Sequence, residues 1–270
     1  MKVKIIADFP EILAADINVD TDKKVEFVLD YAIPQYLTPA PKDTIRIFAT
    51  LQPEGEFNEM ILNKQDCFDF LFTTDGELLR IPKARFVQGF YKWVDINENI
   101  EKRFSVSSVF SARRGLPGHV LRRELWNRRD EIRIPKEFYL SSLHILREDY
   151  VNNLVLGRGK TDKNVAMNSM FHIAIDSVNK YNFFSEKLLD PLITKTIPIY
   201  WGCSNLSEFF NMDGIIKVDS VDDIINATDF LTEEYYYSKM DAINENFTTA
   251  VGYSDWNKAI EVEIKKCLKL

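Results

Sequence analysis

Apolar residues fall in short runs along this chain, separated by polar stretches of comparable length. In the first third, "VKIIADF", "TIRIFATL", "FDFLFTT" and "ARFVQGF" are compact apolar runs bounded by turn-forming or charged residues, the pattern of buried strands. Between them, "KKVEFVLDYAI" and "GEFNEMILNK" space their apolar positions as helices do. A second series starts at "FSVSSVFS" and passes through the basic, helix-like "GHVLRRELW". It then alternates strand-like "NLVLG", "FHIAI", "TIPIYW" and "GIIKV" with helix-like "SEKLLDPLIT", "LSEFF" and "VDDIINATDFL". Such alternation predicts an α/β architecture with largely parallel strands. From Thr232 onward, "YYYSKMDAINENF" and "WNKAIEVEIKKCLKL" are spaced for amphipathic helices.

The rhythm restarts once, so two α/β units in tandem are the economical reading. They are placed at 1–100 and 101–255, with the polar stretch Asp95 to Lys102 as the linker and a last helix over 256–270 that can pack back on the first unit. A length of 270 residues, 46% of them hydrophobic and 28% charged, suffices for two cores without covalent staples.

Charge narrows the partners. A net charge of −7 argues against nucleic acid, whose phosphates demand a basic surface. One dense basic stretch, "SARRGLPGHVLRRELWNRR", is still suited to a single bound phosphate group. Cys67, Cys203 and Cys267 are odd in number and lack paired spacing, which speaks against a zinc site or a disulfide framework and for a reducing cytoplasm. Acidic residues interrupt the apolar N-terminal run, and no stretch is long enough to span a bilayer, so neither a signal peptide nor a transmembrane segment is expected.

Two clusters carry candidate chemistry. A helix starting at Ser185 would cap its own first turn with the Ser185 hydroxyl and turn its positive end outward. Lys187 would add a full charge toward a phosphate, and Glu186 would offer two acceptor oxygens to a pair of ribose hydroxyls. A solvated first turn would use the same residues, and spacing alone leaves both readings open. The second cluster is Arg113, Arg114, His119, Arg122 and Arg123. Arginine can meet a phosphate group without a metal, and Arg122 is favoured because a helix from Gly118 would turn one face of it inward. The alternative is a solvated basic face. Arg158 and Lys163 are weaker candidates beside it.

Other features point to packing. Asp20-Thr-Asp22 has the D-x-D spacing of a metal site but lies in a polar N-terminal loop. His144 and His172 have no metal-spaced neighbours. Tyr235, Tyr236, Tyr237 and Trp256 fit a core better than a sugar-stacking surface.

From Phe171 to Val218 the chain resembles the donor-binding core of the family 10 glycosyltransferases, the α1,3/4-fucosyltransferases. There an F-x-I-C-F-E-N-S segment leads, at the same spacing, to Y-x-T-E-K-L and then to G-T-I-P-I-Y-W-G; here these read "FHIAIDSV", "FFSEKL" and "KTIPIYWG". Weaker similarity reaches "RIFATLQPE", "FDFLFTTDGELL" and "PGHVLRRELW" upstream. The resemblance implies a GT-B fold, two Rossmann-like domains facing across a nucleotide-sugar cleft. It also implies metal-independent, inverting transfer of fucose from GDP-fucose to a glycan hydroxyl, with no cofactor besides the donor. By the same resemblance Glu186 binds the ribose and Lys187 the diphosphate, with Ser185, His119, Arg122 and Arg158 around the donor. The general base is a Glu just after a strand of the first domain: Glu54, with Glu56 as the alternative and Gln52 on the ungapped position.

This sequence departs from the family at three places. Ser177 replaces Asn and Phe183 replaces Tyr, both at donor-contacting positions, and Asp176 replaces a structural Glu. A different donor, such as UDP-xylose, is therefore the alternative within the class. An inactive nucleotide- or glycan-binding protein is the alternative from another class.

Overall fold

The computed structural model describes residues 3–6, 17, 19–52, 55–88, 92–111, 113–141, 155–156 and 163–269. It divides into two compact units. The first comprises Met1–Phe90, Tyr181–Phe183 and Asp255–Leu270, and the second Tyr91–Lys180 and Phe184–Ser254.

In the first unit, β1 (Lys4–Ile6), β2 (Lys24–Leu29), β3 (Thr44–Thr50), β4 (Phe70–Thr73) and β5 (Ala84–Phe86) form one parallel sheet in the order β1-β2-β3-β4-β5. One expectation is corrected here: "KKVEFVLDYAI" is strand β2 followed by a 3-10 turn over Asp30–Tyr36, not a helix. Its apolar positions fit either period, and Glu26 looked like part of a helix's polar face. In the fold Glu26 is instead held across the strands by Arg46 of β3, Nη2 to Oε2 at 3.0 Å. The second expected helix is present, as a 3-10 turn leading into α1 (Asn58–Asn63).

Strand alternation gives this sheet two apolar faces. Val28, Phe48 and Leu71 pack with Ile33, Ile61 and Leu78 on one side. Phe27 and Phe72 point to the other, ring to ring at 5.7 Å. Right-handed crossovers that always step in one direction keep their connections on one face and leave the second bare. The C-terminal helix α7 (Trp256–Leu268) covers it: Trp256 lies 6.2 Å from Phe27, and Trp256, Ile260 and Ile264 form a buried stripe at four-residue spacing. Each such side chain contributes roughly 1.5–3 kcal/mol on burial.

The second unit is a six-stranded parallel sheet of β6 (Arg103–Phe110), β7 (Lys136–Ser141), β8 (Val155–Leu156), β9 (Ser169–Ile175), β10 (Ile197–Trp201) and β11 (Ile216–Lys217). Its order is β11-β10-β9-β6-β7-β8. The chain thus begins at the centre with β6, works outward to β8, and returns to pair β9 on the other side of β6. Helices α2 (Pro117–Arg128), α3 (Glu186–Leu192), α4 (Val221–Thr228), α5 (Glu233–Ser238) and α6 (Met240–Ser254) accompany it. Reversal distributes them over both faces. Phe171 and Ile173 pack with Leu125, Ile224 and Tyr236, whereas Ala174 and Tyr200 pack with Leu188, Leu189 and Ala250.

Strand β7 was not among the expected strands, because Lys136 and Glu137 interrupt its apolar run. The expected helix "LSEFF" is only a 3-10 turn over Leu206–Glu208. The stretch from Asp95 to Lys102 belongs inside the second unit rather than between units. Asn164 donates to Asp95 Oδ2 at 2.9 Å, and Lys102 Nζ donates to Met167 O at 2.5 Å and Thr196 Oγ1 at 2.6 Å.

Candidate functional site

Where strand order reverses in a parallel sheet, the segments leaving the two diverging strands part and leave a crevice at their carboxyl ends. In the second unit those strands are β6 and β9. The chain leaving β6 leads into α2, and the chain leaving β9 runs through Asp176 and Ser177 toward α3. Both sequence-defined clusters therefore meet at one sheet edge.

Gly118, in the first turn of α2, seats that helix on the β9 exit. Its N–H donates to Ser177 O at 2.9 Å, and a Cβ placed on it would lie 1.8 Å from Asp176 O. Only glycine allows that approach.

Asp176 ties the crevice floor together. Fully buried, it accepts hydrogen bonds from Ser185 Oγ and, at 2.6 Å, from the Tyr200 hydroxyl of β10, which itself accepts Cys203 N–H at 2.9 Å. Burial raises the Asp176 pKa, against the opposing pull of Lys187, Ser185 and Tyr200. A Cβ at Gly202 would lie 2.2 Å from the Tyr200 hydroxyl, so this packing also depends on a missing side chain. The shorter carboxylate at 176 thus holds the neighbouring loop.

Ser185 is the N-cap of α3, its Oγ accepting Lys187 N–H at 3.3 Å. At seven residues α3 is short, so the charge here comes chiefly from side chains. Lys187 Nζ lies 2.7 Å from Glu186 Oε1. Burial alone would raise the Glu186 pKa; Lys187 and Lys163 outweigh it and bring the pKa down to about 2. Glu186 therefore stays ionised, an acceptor with lone pairs to spare. One turn further, Asp190 takes Lys163 Nζ at 2.5 Å and Trp93 N–H at 2.8 Å, and burial raises its pKa.

On α2, His119 and Arg122 are buried. Arg122 folds back along its helix, Nε donating to Gly118 O at 3.1 Å, while Nη2 is buried with no hydrogen-bond partner. Burial lowers its pKa, and Asp176 and Glu186 act in the opposite direction. His119 Nδ1 accepts the N–H of Leu116 at 3.3 Å, and its Nε2 is also buried without a partner. Burial is the main cause of a lowered His119 pKa, followed by Arg122, with Arg113 and Lys187 adding to it against a backbone hydrogen bond with Arg114 that raises it.

The remaining candidates are scattered. Ser177 is half-buried and contributes its carbonyl to Gly118. Phe183 is buried, in the short segment grouped with the first unit. Glu54 and Arg158 lie outside the described residues, and of Glu56 only the backbone, in a 3-10 turn, is described. Asp20 and Asp22 are exposed, and among the described residues no cluster of His, Cys, Asp or Glu could hold a metal ion. His172 is buried against Ser107 Oγ, 2.7 Å from Nδ1, and burial brings its pKa down to about 3. Tyr236 and Trp256 are core residues, whereas Tyr237 is exposed. Sequence reasoning missed Tyr200 and Asp190. Their polar atoms look like ordinary members of apolar runs until burial shows that each needs partners.

No protein-family model matches the chain. Over 77 residues it is 27% identical to Alpha-(1,3)-fucosyltransferase FucT of Helicobacter pylori; the match spans 28% of this chain and only 16% of that protein. A crystal structure of α1,3-fucosyltransferase with GDP-fucose is similar at a TM-score of 0.53 and 17% identity, covering 87% of this chain and 77% of that one. TarM is similar at a TM-score of 0.62 and 10% identity, covering 92% of this chain and 55% of that one. The chain has a GT-B fold like that of the α1,3-fucosyltransferase and TarM structures, and no helix among its described residues is long and apolar enough to cross a membrane.

Proposed function

We propose that this chain is an inverting, metal-independent glycosyltransferase that transfers fucose from GDP-fucose to a hydroxyl of a glycan acceptor. The observation that carries the proposal is the convergence of ionised Glu186, Lys187 and the unfilled guanidinium edge of Arg122 around Asp176, at the strand-order reversal of a glycosyltransferase fold.

Glu186 would accept from the ribose hydroxyls, and Lys187 and Arg122 would face the diphosphate. As the bond from the sugar's anomeric carbon to the diphosphate oxygen breaks, negative charge grows on that oxygen. Fixed cations stabilise it without reorganising. The acceptor hydroxyl attacks from the opposite face and must lose its proton, the role of a base. Glu54 is the proposed base.

A second reading has its own observation. Phe183 is fully buried and presents no hydroxyl where the fucosyltransferases have Tyr, and half-buried Ser177 stands in for Asn. Both changes remove polar contacts to the donor, which favours a related transferase using another nucleotide-sugar such as UDP-xylose.

Thermal shift with GDP, GDP-fucose, UDP and UDP-xylose decides between them, since a ligand bound only by the native state raises the melting temperature. GDP and GDP-fucose are expected to stabilise most. A shift with UDP-xylose alone moves the assignment to the second reading. Turnover is expected to survive EDTA; complete loss restored by manganese overturns the metal-free mechanism. Lys187→Ala should weaken donor binding roughly ten- to a hundredfold, the value of a charge-assisted contact. Glu54→Gln should leave donor affinity nearly unchanged and cut turnover by about two to four orders of magnitude.

A further inference from the structure

At the ends of β3 and β4 the polar groups serve one another: Thr50 Oγ1 donates to Thr73 Oγ1, and that same oxygen accepts the N–H of Asp75. Just past β5 one group has no such partner. Val87 carries the β5 pairing onward, its N–H donating to Thr73 O at 3.2 Å, and Gln88 follows it at the carboxyl rim of the sheet. Only 7% exposed, Gln88 donates from Nε2 to Asn182 O at 2.8 Å, while its Oε1 is buried with no hydrogen-bond partner. The Asn182 carbonyl fixes which way round the amide lies. A flipped amide would set oxygen against oxygen and strand the NH2 group instead, so the end without a partner is the acceptor. Folded proteins pair nearly all such atoms, and α/β folds take their ligands at the carboxyl ends of parallel strands.

The class of ligand follows from the atom left over. An amide oxygen accepts and cannot donate, which excludes ionised phosphate and carboxylate oxygens as its partner. The one partner that Gln88 has, Asn182 O, is a neutral acceptor, and this setting suits a neutral hydroxyl better than an ammonium, whose buried charge would need an anion. The short segment Tyr181–Phe183 that supplies this carbonyl belongs to the first unit, and it leaves the Tyr181 ring 54% exposed. An acceptor for a hydroxyl and an exposed aromatic ring on one segment match the two sides of a pyranose, its polar edge and its apolar C–H face. We propose that the rim past β5 is a sugar-hydroxyl subsite, in which Gln88 Oε1 accepts from a pyranose O–H and the Tyr181 ring carries the sugar's apolar face. The proposal rests on the glycosyltransferase reading only for the source of the sugar, which is the donor's transferred sugar or the glycan acceptor.

The test is calorimetry with GDP, GDP-fucose, lactose and cellobiose on the full chain and on Gln88→Met, Gln88→Glu, Tyr181→Ala and Tyr181→Phe. Methionine fills a similar volume without an acceptor, whereas glutamate keeps the acceptor and gives up the donor to Asn182 O. If the donor's sugar supplies the hydroxyl, GDP-fucose is expected to bind about tenfold more weakly to Gln88→Met while GDP binds unchanged. If the acceptor supplies it, both nucleotides bind unchanged and lactose or cellobiose loses about the same factor. In either case Gln88→Glu should recover most of the loss; a purely structural role for the Asn182 bond would weaken both variants alike. Tyr181→Ala should weaken the same ligand as Gln88→Met does, and Tyr181→Phe should not.

Carbon-13 NMR of the unmodified protein supplies a readout independent of variant folding: the side-chain carbonyl of Gln88 should move downfield on addition of the sugar, as its oxygen gains a donor. Equal affinities across the variants, binding of no sugar beyond what GDP alone shows, or a carbonyl resonance that stays in place overturns the proposal. If GDP-fucose binds and no sugar arm depends on Gln88, the subsite falls and the nucleotide-sugar reading stands. If lactose or cellobiose binds with that dependence while no nucleotide binds, the subsite stands and that reading falls.

Discussion

In the first unit the strands follow one another across the sheet from β1 to β5, whereas in the second they run outward from β6 to β8 and then reverse at β9. Both sheets are parallel and covered on two faces. They differ at the carboxyl ends of their strands. In the first unit the polar groups ending β2, β3 and β4 satisfy one another: Thr50 Oγ1 donates to Thr73 Oγ1 at 2.8 Å, and Asp30 Oδ1 takes Leu51 N–H at 2.8 Å. In the second, the same edge holds charges and two donors left over. Two arginines make the contrast sharp. Arg46 in β3 is 5% exposed and engaged along its fork: Nε and Nη2 to Glu26 at 3.0 Å, Nη1 to Tyr36 O at 3.0 Å and Thr38 O at 2.6 Å. Arg122 is as deeply buried and lacks an acceptor for Nη2. Satisfied donors, not burial or charge, separate an arginine that holds a fold from one proposed here to meet a ligand.

The largest effect should come from breaking the finished arginine. Arg46→Met strands the Glu26 carboxylate and two carbonyls, and losing one partner of a buried pair typically costs about 3–5 kcal/mol. Hydrogen exchange of the β2 and β3 amides should accelerate accordingly; unchanged protection would mean that the pair contributes little. Arg122→Met inverts the outcome. It removes an unsatisfied donor, so thermal stability should be unchanged or higher, while affinity for GDP falls roughly ten- to a hundredfold. A variant that unfolds instead would make Arg122 another structural residue and erase the comparison.

Sequence patterning carried much of this fold because parallel strands buried on both faces read as continuous apolar runs. It failed at β2 for a reason contained in the Arg46 contrast. Glu26 looked like solvent-facing charge, and only its partner twenty residues later makes it a strand position. Ser185, Glu186 and Lys187 were legible because they are adjacent in sequence. That His119 Nε2 and Arg122 Nη2 both lack acceptors was not, since unsatisfied groups are a property of three-dimensional surroundings. Nor was Gly118, whose need for glycine appears only when the Asp176 carbonyl is in place.

The charged edge of the second unit should also have an acid signature. Glu186 titrates at about 2 in the fold against an ordinary value of 4.5, so its contribution to stability is full above 4.5 and is lost as pH falls toward 2. The stability difference between the parent and Glu186→Gln should therefore shrink across that window, by about 1.4 kcal/mol for each pKa unit the fold enforces. Asp176 and Asp190, whose pKa values are raised chiefly by burial and further by Glu186, slope the other way, and that opposing slope should be weaker in Glu186→Gln. Urea midpoints between pH 5 and pH 2 measure the difference; a constant gap would mean that Lys187 and Lys163 do not hold Glu186 ionised.

The smallest effect tests the first unit's sheet edge. Thr50→Val keeps the shape and removes the donor to Thr73 Oγ1, which still accepts the Asp75 N–H at 3.0 Å. No acceptor is left empty, so the cost should be that of one neutral hydrogen bond, about 1 kcal/mol, and donor affinity should not change. The complementary substitution, Thr73→Val, removes the acceptor for both Thr50 and Asp75 and should cost more. If Thr50→Val instead weakened GDP binding while leaving stability intact, the polar groups at the end of β3 would belong to a ligand site after all. The distinction between a self-satisfied edge and a waiting one would then have to be redrawn from the first unit outward.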